Sequence, residues 1–126
     1  MSRRRATVDH IIHQKTDREL LDAIQLVYKM HDDNEVFSKY HDQKETPEYK
    51  AILLVLNNHE FIALGIRRRA FAETIYKELQ CSNFLKVWNS SAGIVEELRK
   101  SSGRETLFQE FEWLAKRWKE NPLKKH

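Results

Sequence analysis

Residues 47–69 read PEYKAILLVLNNHEFIALGIRRR, and two folds compete for them. As a hairpin, Ala51 to Leu56 and Phe61 to Ile66 would be strands joined at Asn57-Asn58. As a helix, the stretch begins at Thr46-Pro47, an N-cap followed by proline at the first helical position. The helix is favoured. The flanks are rich in Leu and Ala rather than Val and Thr, and Asn-Asn is a weaker hairpin turn than Asn-Gly. No strong breaker falls between Tyr49 and Arg69. Wound as a helix, the stretch is apolar nearly all round, which marks a central element.

On this helix Asn57, Asn58, Gly65, Arg68 and Arg69 share the least apolar arc. Glu60 and Arg67 lie inside the apolar arc, about 20° apart in angle and about 10.5 Å apart along the axis. A direct salt bridge would need both side chains extended, so a network through a third group is expected. Buried charge is costly unless paired. Asn57, His59, Glu60 and Arg67 therefore read as a strut joining helices, or as a polar pocket with a site in it.

Upstream, Thr16-Asp17-Arg18-Glu19 is a capping box, and Leu20, Leu21, Ala23, Ile24, Val27 and Tyr28 follow it at helical spacing. Asp32-Asp33-Asn34 ends that helix or kinks it towards Val36, Phe37 and Tyr40. Residues 42–45 read as a loop. Downstream, a short helix is expected over 73–80. Ser82 would cap another over 83–100, with Gly93 inside it, and Ser101-Ser102-Gly103 would end it. The last helix is expected over 104–119, stopped by Asn121-Pro122. Its Leu107, Phe108, Phe111, Leu114, Ala115 and Trp118 form one core stripe, and Phe84 and Trp88 also read as core. Trp113 lies off the stripe and needs cover from another segment or another chain.

The whole is an all-α, single-domain bundle of about five helices around a central apolar helix. A basic disordered start at 1–6, a helical domain at 7–119 and a frayed basic tail at 120–126 are expected. No apolar run is long enough to span a membrane, and no apolar h-region follows Arg5, so the expected compartment is the cytoplasm.

Lys and Arg number 22 against 19 Asp and Glu, a net charge of +3. The basic residues cluster at Arg3 to Arg5, at Arg67 to Arg69, and at Lys116, Arg117, Lys119, Lys124 and Lys125. Arg3, Arg4, Arg5, Arg68, Arg69, Lys116 and Lys119 are the candidate phosphate contacts; otherwise these are solvated faces. His10 and His13 are three residues apart, but a metal would need a further ligand, and His31 and His41 carry no spacing signature. Asp32 to Glu35 lacks the glycine and spaced ligands of a calcium loop. Cys81 reads as a small packed hydrophobe rather than a nucleophile. No metal and no cofactor is expected.

Two blocks carry a resemblance. Leu56-Asn57-x-x-Glu60-x-Ile62-Ala63-x-Gly65-Ile66-Arg67 and Phe111-Glu112-Trp113-Leu114-Ala115-x-Arg117-Trp118 resemble the hallmarks of an uncharacterised bacterial family, catalogued as a domain of unknown function. Tyr76, Val87-Trp88, Ala6-Thr7-Val8-Asp9 and the stretch from Thr16 to Leu20 are similar too. The resemblance implies a small helical protein. Several members carry an N-terminal membrane segment, where this chain has only a short basic start. It implies no activity and no catalytic residue, and it singles out Asn57, Glu60, Arg67 and Trp113.

The leading expectation is a non-enzymatic interaction or regulatory protein, its partner another protein or a second copy as a homodimer, with Trp113 and Arg117 at the contact. The alternative is nucleic-acid binding, which requires the basic clusters to converge on one face. The second alternative is a hydrolytic or metal-dependent enzyme built on His59, Glu60 and Arg67, which needs a pocket around them.

Overall fold

The computed structural model describes residues 2–126 and is an all-α bundle. In chain order, α1 is Arg3–Thr16, α2 is Arg18–Asp32, a 3₁₀ helix is Phe37–Tyr40, α3 is Pro47–Arg67, α4 is Glu73–Ser102 and α5 is Gln109–Glu120. Among the described residues there is no strand, so the hairpin reading of 51–66 is set aside. Among the described residues no helix is long and apolar enough to cross a membrane.

Helix α3 is the centre. Thr46 caps it by accepting the Tyr49 N–H at 3.2 Å, and Pro47 stands in the first turn. Its Ile52, Val55, Leu56, Ile62 and Ala63 are at most 1% exposed. Helix α2 packs on one side and α5 on the other, while α4 closes the bundle against the 3₁₀ helix, α5 and α2. Trp118, Tyr76, Phe37, Phe84 and Phe111 are the largest side chains buried in the core.

Several boundaries depart from the sequence reading. Helix α1 starts at Arg3, inside the segment expected to be disordered, because Ser2 accepts the Arg5 N–H at 3.1 Å; Met1 lies outside the described residues. Helix α2 is capped by Asp17, which accepts from the Leu20 N–H, whereas Thr16 ends α1 and donates to the His13 carbonyl. The helices expected over 73–80 and 83–100 are one continuous helix. Its Gly93 does not break it: a Cβ there would meet the Ser38 Oγ at 2.7 Å, so the glycine lets the 3₁₀ helix approach. The last helix starts at Gln109 rather than Arg104, with Phe108 in the left-handed region at φ 58° before it. Residues after Glu120 form no regular structure.

The turn from α3 to α4 is specific. The Ala70 N–H bonds the Gly65 carbonyl at 2.8 Å and the Arg69 N–H bonds the Ile66 carbonyl at 3.0 Å, the paired pattern of a Schellman cap. That cap needs a left-handed residue, and Arg69 supplies it at φ 61°. Glycine is the usual occupant, so the arginine holds the conformation at a cost of about 1 kcal/mol. Gly65 is needed for a different reason: a Cβ there would clash with the Phe71 ring. Gly65→Ala is expected to push Phe71 aside and lower stability by about 1–3 kcal/mol, as measured by urea unfolding.

Candidate functional site

Glu60 and Arg67 meet the same third residue. The Glu60 carboxylate accepts the backbone N–H groups of Phe111 at 2.8 Å and Glu110 at 3.4 Å. These donors lie in the first turn of α5, where helical N–H groups lack intrahelical partners. Phe108, in the cap position, offers no side-chain acceptor, so the cap is supplied from α3. Burial pushes the Glu60 carboxyl above its ordinary value, and the two N–H groups pull it back only in part. Arg67 then forks onto Glu110, with Nε to Oε2 at 2.5 Å and Nη2 to Oε1 at 2.9 Å. Glu110 is 7% exposed, so the pair is shielded on its acidic side. The two charges inside the apolar arc of α3 thus hold α5 in place.

His59 is 3% exposed and packs face-on against Phe84, with ring centroids 4.6 Å apart, and edge-on against Phe111. Burial lowers its pKa to about 3. Its Nδ1 lies 3.3 Å from the Asn58 amide nitrogen, and the Asn58 Oδ1 accepts from Gln14 at 2.5 Å. Asn57 is exposed and joins neither network. The four residues expected to act together are therefore in three places.

The basic clusters contribute one or two residues each to a shared cavity. Arg3 from the start of α1, Arg67 and Arg69 from the end of α3, and Arg117 from α5 line a space of about 240 Å³. Trp113, Phe71 and Ile66 form apolar wall, and Glu73 supplies a carboxylate. Trp113 is half-buried, with the Arg117 guanidinium carbon 5.7 Å from its ring centre. Arg117 forks onto Glu73 at 2.8 and 3.1 Å, and the Trp118 indole N–H donates to the same carboxylate at 2.9 Å. Those donors hold the Glu73 carboxyl below its ordinary value, the Arg117 bond foremost. Among the described residues, Arg3 and Arg69 take part in no ion pair.

Thr7 brings Arg3 to this place. It is fully buried, its hydroxyl donates to the Arg3 carbonyl at 2.6 Å, and it accepts the Ala72 N–H at 2.7 Å. The start of α1 is thereby tied to the turn that carries Arg69. One turn on, the His10 Nδ1 lies 2.5 Å from the Tyr76 hydroxyl and the ring stacks on Phe71.

Arg4, Arg5, Arg68 and Lys119 are exposed outside the cavity, and Lys116 pairs with Glu112 at 3.6 Å. Among the described residues no group of histidine, cysteine and acidic side chains could hold a metal ion. Cys81 is buried. Sequence reasoning missed Thr7, Glu73 and Glu110, whose partners are more than 40 residues away. The one local signal was acidic residues in the first turns of α4 and α5, an ordinary helix preference.

No curated protein and no solved structure matches the chain. The model of a family described as a domain of unknown function (DUF4760) matches residues 1–118, and the chain belongs to that family.

Proposed function

We propose that this protein is a non-catalytic binding module whose working face is the arginine cavity beside Trp113, and that it holds a compact anionic group of a partner. One observation carries the reading: four guanidiniums from three separate stretches of sequence line one cavity. Bringing like charges together opposes folding unless something negative shares the space. Carboxylates answer Arg67 and Arg117. Two further features favour an incoming anion. Arg3 stands in the first turn of α1, where the helix dipole disfavours cations. Arg69 occupies a conformation that glycine would hold at lower cost. Strain of this kind gathers at binding sites.

The shape supports a compact group rather than a duplex. A nucleic-acid surface needs cations spread along a backbone path. Here Arg4, Arg5, Arg68 and Lys119 lie outside the cavity, and Lys116 is tied to Glu112. Glu60 and Arg67 serve helix placement, and His59 is held neutral in the core, which argues for binding over hydrolysis. Trp113 sits in the cavity wall, so it reads as part of a site for an incoming group rather than as a homodimer contact.

The test is thermal unfolding in phosphate or sulfate against chloride at constant ionic strength. The polyvalent anions are expected to raise the midpoint of the wild type, as any ligand of the native state does. The double variant Arg3→Ala with Arg69→Gly is expected to lose that increment. An equal rise in both proteins would overturn the reading, since it would reflect a general salt effect.

A further inference from the structure

Resting on that reading, we infer that the anion is a phosphomonoester carried on a side chain of a protein partner. Charge comes first. Among the described residues the four arginines are answered by two carboxylates, Glu73 and Glu110, which leaves a surplus of two positive charges at the cavity. A phosphomonoester carries about −1.5 to −2 at neutral pH, whereas a carboxylate or a sulfate ester carries one negative charge.

Geometry points the same way. A carboxylate is planar and is satisfied by one guanidinium fork, as Glu110 is by Arg67. The cavity presents guanidiniums from the start of α1, the α3 end and α5, three directions rather than one. A terminal phosphoryl group has three acceptor oxygens splayed about one axis, which suits donors arriving from three sides. Volume sets the scale. About 240 Å³ is below the roughly 300–1,000 Å³ of sites that enclose a whole small-molecule ligand. It admits a phosphoryl group and the first atoms of its carrier.

The surroundings identify the carrier. Phe71 forms cavity wall, and the Phe61 ring packs against it edge-on at 5.7 Å while remaining 55% exposed. Leu64, on the same outer stripe of α3, is 38% exposed. An apolar patch continuous with a cationic cavity matches a peptide, which brings apolar neighbours beside its charged side chain. A nucleic acid would bring further phosphates along its backbone, and Phe61 and Leu64 supply no cation to meet them.

Calorimetric titration tests this with four probes: N-acetyl phosphotyrosine amide, the matching sulfotyrosine, the matching glutamate, and a 5′-phosphorylated single-stranded oligonucleotide. The phosphotyrosine probe is expected to bind saturably and about ten-fold more tightly than the sulfotyrosine, because only its charge matches the surplus. Arg69→Gly is expected to weaken it by about ten-fold, the effect of one charge-assisted contact, without lowering the unfolding midpoint, since glycine suits that backbone. If sulfotyrosine and glutamate bind as well as phosphotyrosine and Arg69→Gly weakens all three, the face binds anions but the phosphate assignment is overturned. If the oligonucleotide binds more tightly than phosphotyrosine and gains with length, the protein carrier is overturned. If no probe responds to Arg69→Gly or to Arg3→Ala, the proposed binding face fails as well.

Discussion

Acidification from pH 6.5 towards 3 is expected to remove stability steadily, and His59→Phe is expected to escape most of that loss. The cause is burial of the imidazole against Phe84 and Phe111, which lowers its pKa from 6.5 to about 3. Between those values the unfolded chain takes up a proton that the native protein refuses. Stability is therefore fully present above pH 6.5 and falls as the pH drops, by about 1.4 kcal/mol per unit. Across the window the loss is on the order of 4 kcal/mol, a large share of the stability of a small domain. Phenylalanine keeps the stacked ring and removes the titrating group. Burial also lowers the His10 pKa, which leaves the variant a shallower loss of the same sign, and the raised Glu60 carboxyl opposes that loss as the pH nears the carboxylate range. Glu73, held low by Arg117 and the Trp118 indole, adds its own loss only below the ordinary carboxylate range. Urea unfolding across the pH range checks this; parallel profiles for wild type and variant would contradict it.

Trp118→Ala is expected to cost about 3–5 kcal/mol and to damage the arginine cavity as well. The indole is fully buried and packs against Phe84 with ring centroids 5.0 Å apart. Its removal leaves a cavity in the core beside Phe84. The second effect comes through the N–H, which helps to fix Glu73, the residue that fixes Arg117. Trp118→Phe separates the two. It keeps an aromatic ring in the core and loses the hydrogen bond, so about 1–2 kcal/mol is expected. Phosphate-induced stabilisation should weaken in both variants, and only the alanine should approach unfolding at ambient temperature. Equal stability of the two variants would contradict the assignment of most of the cost to packing.

The parts of the fold legible in sequence were those set by neighbouring residues. Thr46-Pro47 announced α3 because a cap and a proline act within one turn, and the stripe through Phe111, Leu114, Ala115 and Trp118 announced the core face of α5. The errors came where distant residues decide. Ser82 reads as the cap of a new helix inside what is one continuous helix, and Gly93 fits either a break or a close approach until the Ser38 hydroxyl, 55 positions earlier, is seen packed against it. The start of α5 looked one turn earlier because Leu107 and Phe108 fit the stripe. They are held instead as a turn, with the Leu107 carbonyl accepting from Arg99 at 2.8 Å. For the candidate site, the angular placement of Glu60 and Arg67 pointed to a third group, but nothing local named Glu110. The cavity was less visible still. Arg3, Arg69 and Arg117 belong to clusters that look alike along the chain, and only the Thr7 link and the Schellman turn bring one member of each together.

On the proposed reading, Glu60 places α5, and Arg69 serves the cavity at the expense of its own backbone. The most direct test is the unfolding free energy of Glu60→Ala and Arg69→Gly, measured side by side at neutral pH. Glu60→Ala is expected to lose about 1–2 kcal/mol, because the Glu110 and Phe111 N–H groups lose their acceptor. Arg69→Gly is expected to be unchanged or more stable by up to about 1 kcal/mol, because glycine fits the left-handed position. A neutral Glu60→Ala beside a destabilised Arg69→Gly would contradict the claim: the carboxylate would not be the cap of α5, and the arginine would be part of the scaffold.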